Sequence, residues 1–192
     1  MKCTELLTQD HAILRRGLEI LEGMVRKLEE GQRIETTDVA TILKFLRTFG
    51  DNYHQMMEET VLFPALLRAA PHENPLRQIA LEHREERTLV AAMEEALRFK
   101  KGREFASSSR QLTVLLRNHL DKEDAVVHDI VERSLSNEED TMIAAEFTKN
   151  RTHVETTVNF ARLEWKYMRK SHGTPYSSER EVARAQGASS YT

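Results

Sequence analysis

With 192 residues, 31% of them charged and only seven glycines and four prolines, the chain has the profile of amphipathic helices rather than sheet, and it suits one domain with an appendage better than two domains. The net charge of −3 includes no basic block or stripe, which argues against nucleic acid as a partner. Cys3 is the only cysteine, so an intramolecular disulfide and a cysteine-based zinc cluster are excluded; the opening MKCTELLTQDH turns polar too early for a signal segment and no apolar run approaches membrane-spanning length, so a cytoplasmic protein with no membrane partner is expected.

Apolar residues recur at helical spacing in five segments. The first helix is predicted from about Thr4 to Glu30, stopping near Gly31. Thr36 or Thr37 is placed to cap the second, which continues through Pro64, a predicted kink, towards Pro71. Asn74-Pro75 opens the third, a capping residue followed by proline at the first helical position, and the helix is expected to end near Lys101-Gly102. The fourth spans roughly Glu104 to Leu135. A capping box from Ser136 to Glu139 starts a fifth that reaches about Lys170. Past Ser171 the helical pattern fades into Ser, Gly and small residues, and a disordered or loosely docked tail is expected. Short loops join antiparallel neighbours, so the fold class is all-α: an up-down-up-down four-helix bundle over residues 1–135, an additional helix over 136–170 packed on it, and a flexible tail over 171–192.

Each helix of the bundle carries polar residues where its apolar stripe should be unbroken. His11 sits among Leu7, Leu14, Leu18, Leu21, Val25 and Leu28; His54 and Glu58 sit with Leu43, Gly50, Met57, Val61 and Ala65. His83 falls in line with Leu76, Ile79, Val90 and Leu97, and His119 and Glu123 with Leu112, Leu115, Val126 and Ile130. A second His-x-x-x-Glu on the same helix, His128 with Glu132, turns to the opposite side beside Asp121 and Asp124 and reads as a solvated surface pair. Any one buried histidine is more often a hydrogen-bonded core residue than a ligand. The heights decide otherwise: at about 1.5 Å per residue, counted along each helix and back through its turn, all six side chains reach one level. Four imidazoles and two carboxylates in one dry layer cost several kcal/mol per unpaired charge unless something cationic sits among them. Imidazole with carboxylate suits iron, manganese or zinc, and one carboxylate on each of two helices is what bridging a pair of ions requires.

At these residues the sequence resembles the hemerythrin and HHE cation-binding family, whose pattern is one His, then His-x-x-x-Glu, then His, then His-x-x-x-Glu on four successive helices. Residues 4 to 135 carry it, and the stretch YHQMMEETVLFPAL around His54 also looks like the family. The resemblance implies a carboxylate-bridged non-haem centre of two Fe ions, with Glu58 and Glu123 bridging and His11, His54, His83 and His119 as terminal ligands. It implies binding or sensing of dioxygen, a related small oxidant or iron, rather than catalysis; the alternative is a di-iron oxidoreductase acting on peroxide or a small substrate. Where the oxygen-carrying hemerythrins have a second histidine in helix three, this chain has Arg87, which leaves the ligand set poorer in histidine. Glu86 is a candidate further ligand, with a surface salt bridge to Arg84 or Arg87 as its other reading. Tyr53 is expected to pack rather than ligate, and His72, His153 and His172 to lie on the surface. The stripe of the fifth helix (Ile143, Phe147, Val154, Val158, Ala161, Trp165, Met168) is expected to cover the bundle, with a protein partner or a homodimer as its other use.

Overall fold

The computed structural model of the protein describes residues 1–72, 74–151 and 160–168, and every regular element among them is helical. The first rod is α1 (Lys2–Glu29), about 42 Å long, which buries Leu7, Leu14, Leu18, Leu21 and Val25 on one face. It stops where Gly31 takes a left-handed φ of 74°. The amides of Gly31 and Gln32 then donate back to the carbonyls of Leu28 (3.1 Å) and Lys27 (2.8 Å), closing the last turn.

The second rod begins as α2 (Thr36–Phe45) and runs through two π-helical stretches (Leu46–Gln55 and Glu58–Leu62) into α3 (Phe63–Ala69). Neither Thr36 nor Thr37 caps it. Glu35 occupies the capping position in extended backbone without a side-chain bond, and both threonines fall inside the first turn. Pro64 lies in the first turn of α3, directly after a wide π turn; the proline ring, which has no N–H to return, passes within the rod without ending it.

The third rod, α4 (Asn74–Arg98), ends earlier than expected. Lys100, not a glycine, takes the left-handed conformation (φ 54°), and the amides of Lys100 and Lys101 close onto the carbonyls of Leu97 (3.1 Å) and Ala96 (2.8 Å). Gly102 instead opens the fourth rod, which runs as α5 (Gly102–Lys122), a π stretch (Glu123–Val127) and α6 (His128–Ser134). Along this rod Val127 is buried and Val126 partly so, and Leu116 is buried more deeply than Leu115.

The capping box forms as expected: the Ser136 amide donates to Glu139 Oε2 (2.9 Å) and the Glu139 amide to Ser136 Oγ (3.2 Å), opening α7 (Asn137–Arg151). Past residue 159 the described part of the fifth segment is a short helix, α8 (Ala161–Tyr167). Val154, Val158, His153, His172 and the tail from residue 171 lie outside the described residues.

The first and third rods each pack between the second and fourth, giving the four-helix bundle; α7 lies along α1 and the second π stretch, and α8 lies along α1. Of the fifth segment's stripe, Ile143 and Phe147 are buried while Trp165 is exposed. Among the described residues no helix is long and apolar enough to cross a membrane. The approach of α8 is close enough that a Cβ on Gly23 of α1 would collide with the carbonyl oxygen of Tyr167. A latch fixes it there. Asp38 of α2, fully buried, accepts hydrogen bonds from Tyr167 Oη (2.7 Å), Lys166 Nζ (2.7 Å) and Arg162. Burial opposes the charge on Asp38, but these three donors outweigh it and hold the carboxyl below its ordinary value.

A depressed carboxyl contributes stability that is complete above the ordinary value of 3.8 and is lost as pH falls through the lower, folded value. Amide hydrogen exchange in α8 reports its docking. Acidification below about pH 4 is expected to lower its protection in the wild-type protein. Asp38→Asn shows the lowered protection already at neutral pH, and unchanged protection in that variant would remove the latch.

Candidate metal centre

His11, His54, Glu58, His83, His119 and Glu123 converge in the middle of the bundle, and each is at most 1% exposed. All three π stretches border them: His54 lies in the first, Glu58 opens the second and Glu123 opens the third. Wide turns of this kind recur where a helix must aim side chains that regular spacing would misplace.

The six side chains form two groups that share both carboxylates. His11, His54, Glu58 and Glu123 make one, His83, His119, Glu58 and Glu123 the other, and within each group the facing atoms lie within 4.8 Å of one another. Rings are paired accordingly: His11 meets His54 edge-on at 5.1 Å between centroids, and His83 meets His119 at 4.8 Å. In every ring Nε2 points inward. The distances are 3.3 Å from His11 Nε2 to Glu123, 3.6 Å from His54 Nε2 to Glu58, 3.4 Å from His83 Nε2 to Glu58 and 3.2 Å from His119 Nε2 to Glu123.

The outward nitrogens reveal a second pattern, which the sequence reading missed. Nδ1 of each imidazole faces a carboxylate from the preceding rod, in cyclic order around the bundle. Asp10 of the first rod faces His54 (3.9 Å), Glu59 of the second faces His83 (2.8 Å), Glu82 of the third faces His119 (3.1 Å) and Asp124 of the fourth faces His11 (2.7 Å). Each acid in turn meets a cation: Arg151 for Asp10 (3.3 Å), Arg87 for Glu59 (2.9 Å), Lys122 for Glu82, and Arg15 for Asp124 (2.8 Å). The signal was in the chain. Every one of these acids is the sequence neighbour of an inward residue, in the doublets Asp10-His11, Glu58-Glu59, Glu82-His83 and Glu123-Asp124.

A carboxylate held by a cation only accepts, so the imidazole nitrogen bonded to it carries the proton and the opposite nitrogen presents a lone pair. Those lone pairs meet others. Nε2 of His83 and Nε2 of His119 stand 3.2 Å apart, and among the described residues Nε2 of His11 and of His54 and all four oxygens of Glu58 and Glu123 have no hydrogen-bond partner. Such convergence is compatible with a bound cation in each group and is costly without one.

The protonation pattern bears the same strain. Burial and the charge of Glu123 push Glu58 up to about 8. Burial opposes the charge of Glu123 as well, but His119 and His11 outweigh it and hold that carboxyl well below the ordinary range. His11 is raised to about 9, Asp124 and Glu123 overcoming its burial, and His119 to about 10, where Glu123, Glu86 and Glu58 do the same. His83 is lowered by burial and by the charge of His119. On the rim, burial of Asp124 is outweighed by His11 and Arg15, which hold it at about 2.

Glu86 is buried but belongs to neither group. Its carboxylate accepts from Gln55 Nε2 (2.5 Å) and lies 3.6 Å from the outward nitrogen of His119, not in a surface bridge to Arg84 or Arg87. Burial raises it to about 7. Beside it a cavity of ≈ 20 Å³, lined by Leu14, Gly50, His54, Gln55, Glu86 and Leu112 among others, reaches out to Arg47, Asp51 and Arg87. Arg87, in the place of the second histidine, bonds Asp51 (2.6 Å) and Glu59 (2.9 Å). His128 lies outside both groups, but it is half-buried rather than solvated, and its Nε2 lies 3.9 Å from Asp124. It stands near enough to His11 of the first rod to feel its charge, while Glu132 stays exposed. Tyr53 packs on Phe49 with ring centroids 5.4 Å apart, and His72 is exposed.

Comparison with curated proteins and with solved structures gives no match. A family model does match: the hemerythrin HHE cation binding domain, over residues 3–131, a span that holds all six inward residues and leaves α7 and α8 outside. The chain thus belongs to the hemerythrin HHE cation-binding family.

Proposed function

We propose that the protein binds two iron ions in a non-haem, carboxylate-bridged centre and uses them to bind or sense dioxygen, a related small oxidant, or iron itself. The observation that carries this reading is the sharing of Glu58 and Glu123 by two histidine pairs. Each carboxylate faces both pairs, as bridging requires; outward acids bond Nδ1 of His11, His83 and His119 and Asp10 stands 3.9 Å from that of His54, so Nε2 of all four is turned to serve as a terminal ligand. Two Glu and four His give a mixed nitrogen and oxygen donor set that suits iron and accommodates manganese or zinc. Iron so bound supplies reversible one-electron chemistry and open positions for a small ligand. The chain's own contribution is to orient the donors, keep bulk water out, and leave beside His54 a cavity of ≈ 20 Å³, room for a molecule about the size of water.

Iron(II) loaded anaerobically and measured by elemental analysis is expected at about two ions per chain. His119→Ala, which removes a donor and leaves Glu123 without its partner, falls to one ion or fewer, while His128→Ala keeps both. A wild-type content of about one ion or less rejects the paired site.

Metal must also displace protons. His11, His119 and Glu58, at about 9, 10 and 8, all hold one at pH 7 in the metal-free protein. Binding at pH 7 therefore releases about three protons per chain, and affinity rises with pH until these groups are deprotonated. Calorimetry in buffers of different ionisation enthalpy measures the release; a value near zero is incompatible with these residues as ligands.

One observation favours the second reading, a di-iron oxidoreductase acting on peroxide or a small substrate. Glu86, raised to about 7 beside the cavity, holds a proton it can deliver at Oε1 near neutral pH, as an acid catalyst needs. Peroxide turnover by the iron-loaded protein that falls at least about tenfold in Glu86→Gln assigns an enzyme, whereas binding without turnover assigns a sensor or carrier.

A further inference from the structure

Three of the four outward acids find their cation on the helix that carries the imidazole they face. Arg15 follows His11 by four residues, Arg87 follows His83 by four and Lys122 follows His119 by three, so each lies one turn along the same face. The second rod cannot do this for His54. The residues three and four places on are Met57 and Glu58, one in the apolar core and the other turned inward to the centre. The cation for Asp10 comes instead from Arg151, at the end of α7 and outside the span shared with the family.

The burial of Asp10 makes this contact consequential. The side chain is fully buried on α1, its oxygens reach no hydrogen bond among the described residues, and its neighbours are His54 Nδ1 at 3.9 Å and Arg151 Nε at 3.3 Å. Arg151 also donates to Gln9 Oε1 (2.7 Å), which ties the end of α7 to the turn of α1 that bears Asp10 and His11. Asp10 thus stands between the guanidinium of Arg151 and the outward nitrogen of His54, so Arg151 fixes where the carboxylate sits and the carboxylate limits which way the His54 ring can turn.

We propose that α7 completes the metal centre: Arg151, acting through Asp10, is a positioning residue for His54, so that metal binding and the docking of α7 are coupled. The inference rests on the metal-binding reading above. Coupling of this kind is reciprocal: α7 strengthens the ion held by His11 and His54, and that ion holds α7 down.

Cobalt(II), followed by its visible absorption, provides the probe. The wild-type protein takes up two ions. In Arg151→Gln and Asp10→Asn the uptake becomes biphasic, one ion binding as in wild type and the other about tenfold or more weaker. Arg151→Lys, which keeps a cation, restores most of the loss. Cobalt also slows amide hydrogen exchange near the end of α7 in wild type and not in Asp10→Asn. A merely structural role would lower the melting temperature of the metal-free variants while leaving the two ions equally affected, and that result overturns the proposal. Wild-type affinity for both ions in Arg151→Gln overturns it alone. A wild-type protein that takes up no cobalt overturns the metal reading, and this inference falls with it.

Discussion

Nε2 of His83 and Nε2 of His119 face each other at 3.2 Å across the centre of the bundle, and their other nitrogens are committed to Glu59 and Glu82. Two imidazole lone pairs cannot rest against each other in a dry interior, so a proton or a metal ion must lie between them. The raised values of His119, His11 and Glu58 show the metal-free answer, in which protons occupy the inward positions. Hydrophobic packing around the layer is extensive, with Leu7 and Leu14 one turn to either side of His11 and Met57 beside Glu58. That packing makes the layer dry, and dryness is what makes the unmatched polar atoms costly.

The ring of outward acids gives the layer its direction. Without it each imidazole could present either nitrogen, and the four rings would have no common orientation. Because each acid comes from the preceding helix, the ring also clasps every adjacent pair of rods in turn: first to second, second to third, third to fourth and fourth to first. Bundle geometry and donor orientation are therefore set by the same contacts, and a shift of one helix would misalign a ring on its neighbour.

Much of this was legible in the chain, and the exceptions share a cause. The inward six stood out because polar residues interrupt otherwise apolar stripes, and Gly31 and the Ser136–Glu139 box were readable because their chemistry is local. What failed depended on tertiary context. The rotation of the fourth rod about its axis is set by its neighbours, so Val127 is buried more deeply than Val126 and His128 is half-buried rather than solvated. Lys100 takes a left-handed φ that Gly102 would have been expected to supply. Of the acids of the ring only Asp124 drew notice, as surface charge, because their role lies on the neighbouring helix, which a reading one helix at a time does not see.

Arg87 is best understood through the same ring. On the first and third rods the position four residues after the histidine holds a cation, Arg15 or Arg87; on the second and fourth it holds an inward glutamate, Glu58 or Glu123. One position cannot do both, since a side chain turned in to the centre is unavailable to the neighbouring acid. Where the resemblance to the oxygen-carrying hemerythrins would place a second histidine, this chain has a guanidinium that bonds Glu59, the partner of His83, and Asp51 at the edge of the cavity. The glutamate-bearing rods must then find their cations elsewhere. The fourth does so one residue earlier, at Lys122, and the second has none of its own, which is why Asp10 turns to Arg151 and a helix outside the four-helix bundle stands against its centre.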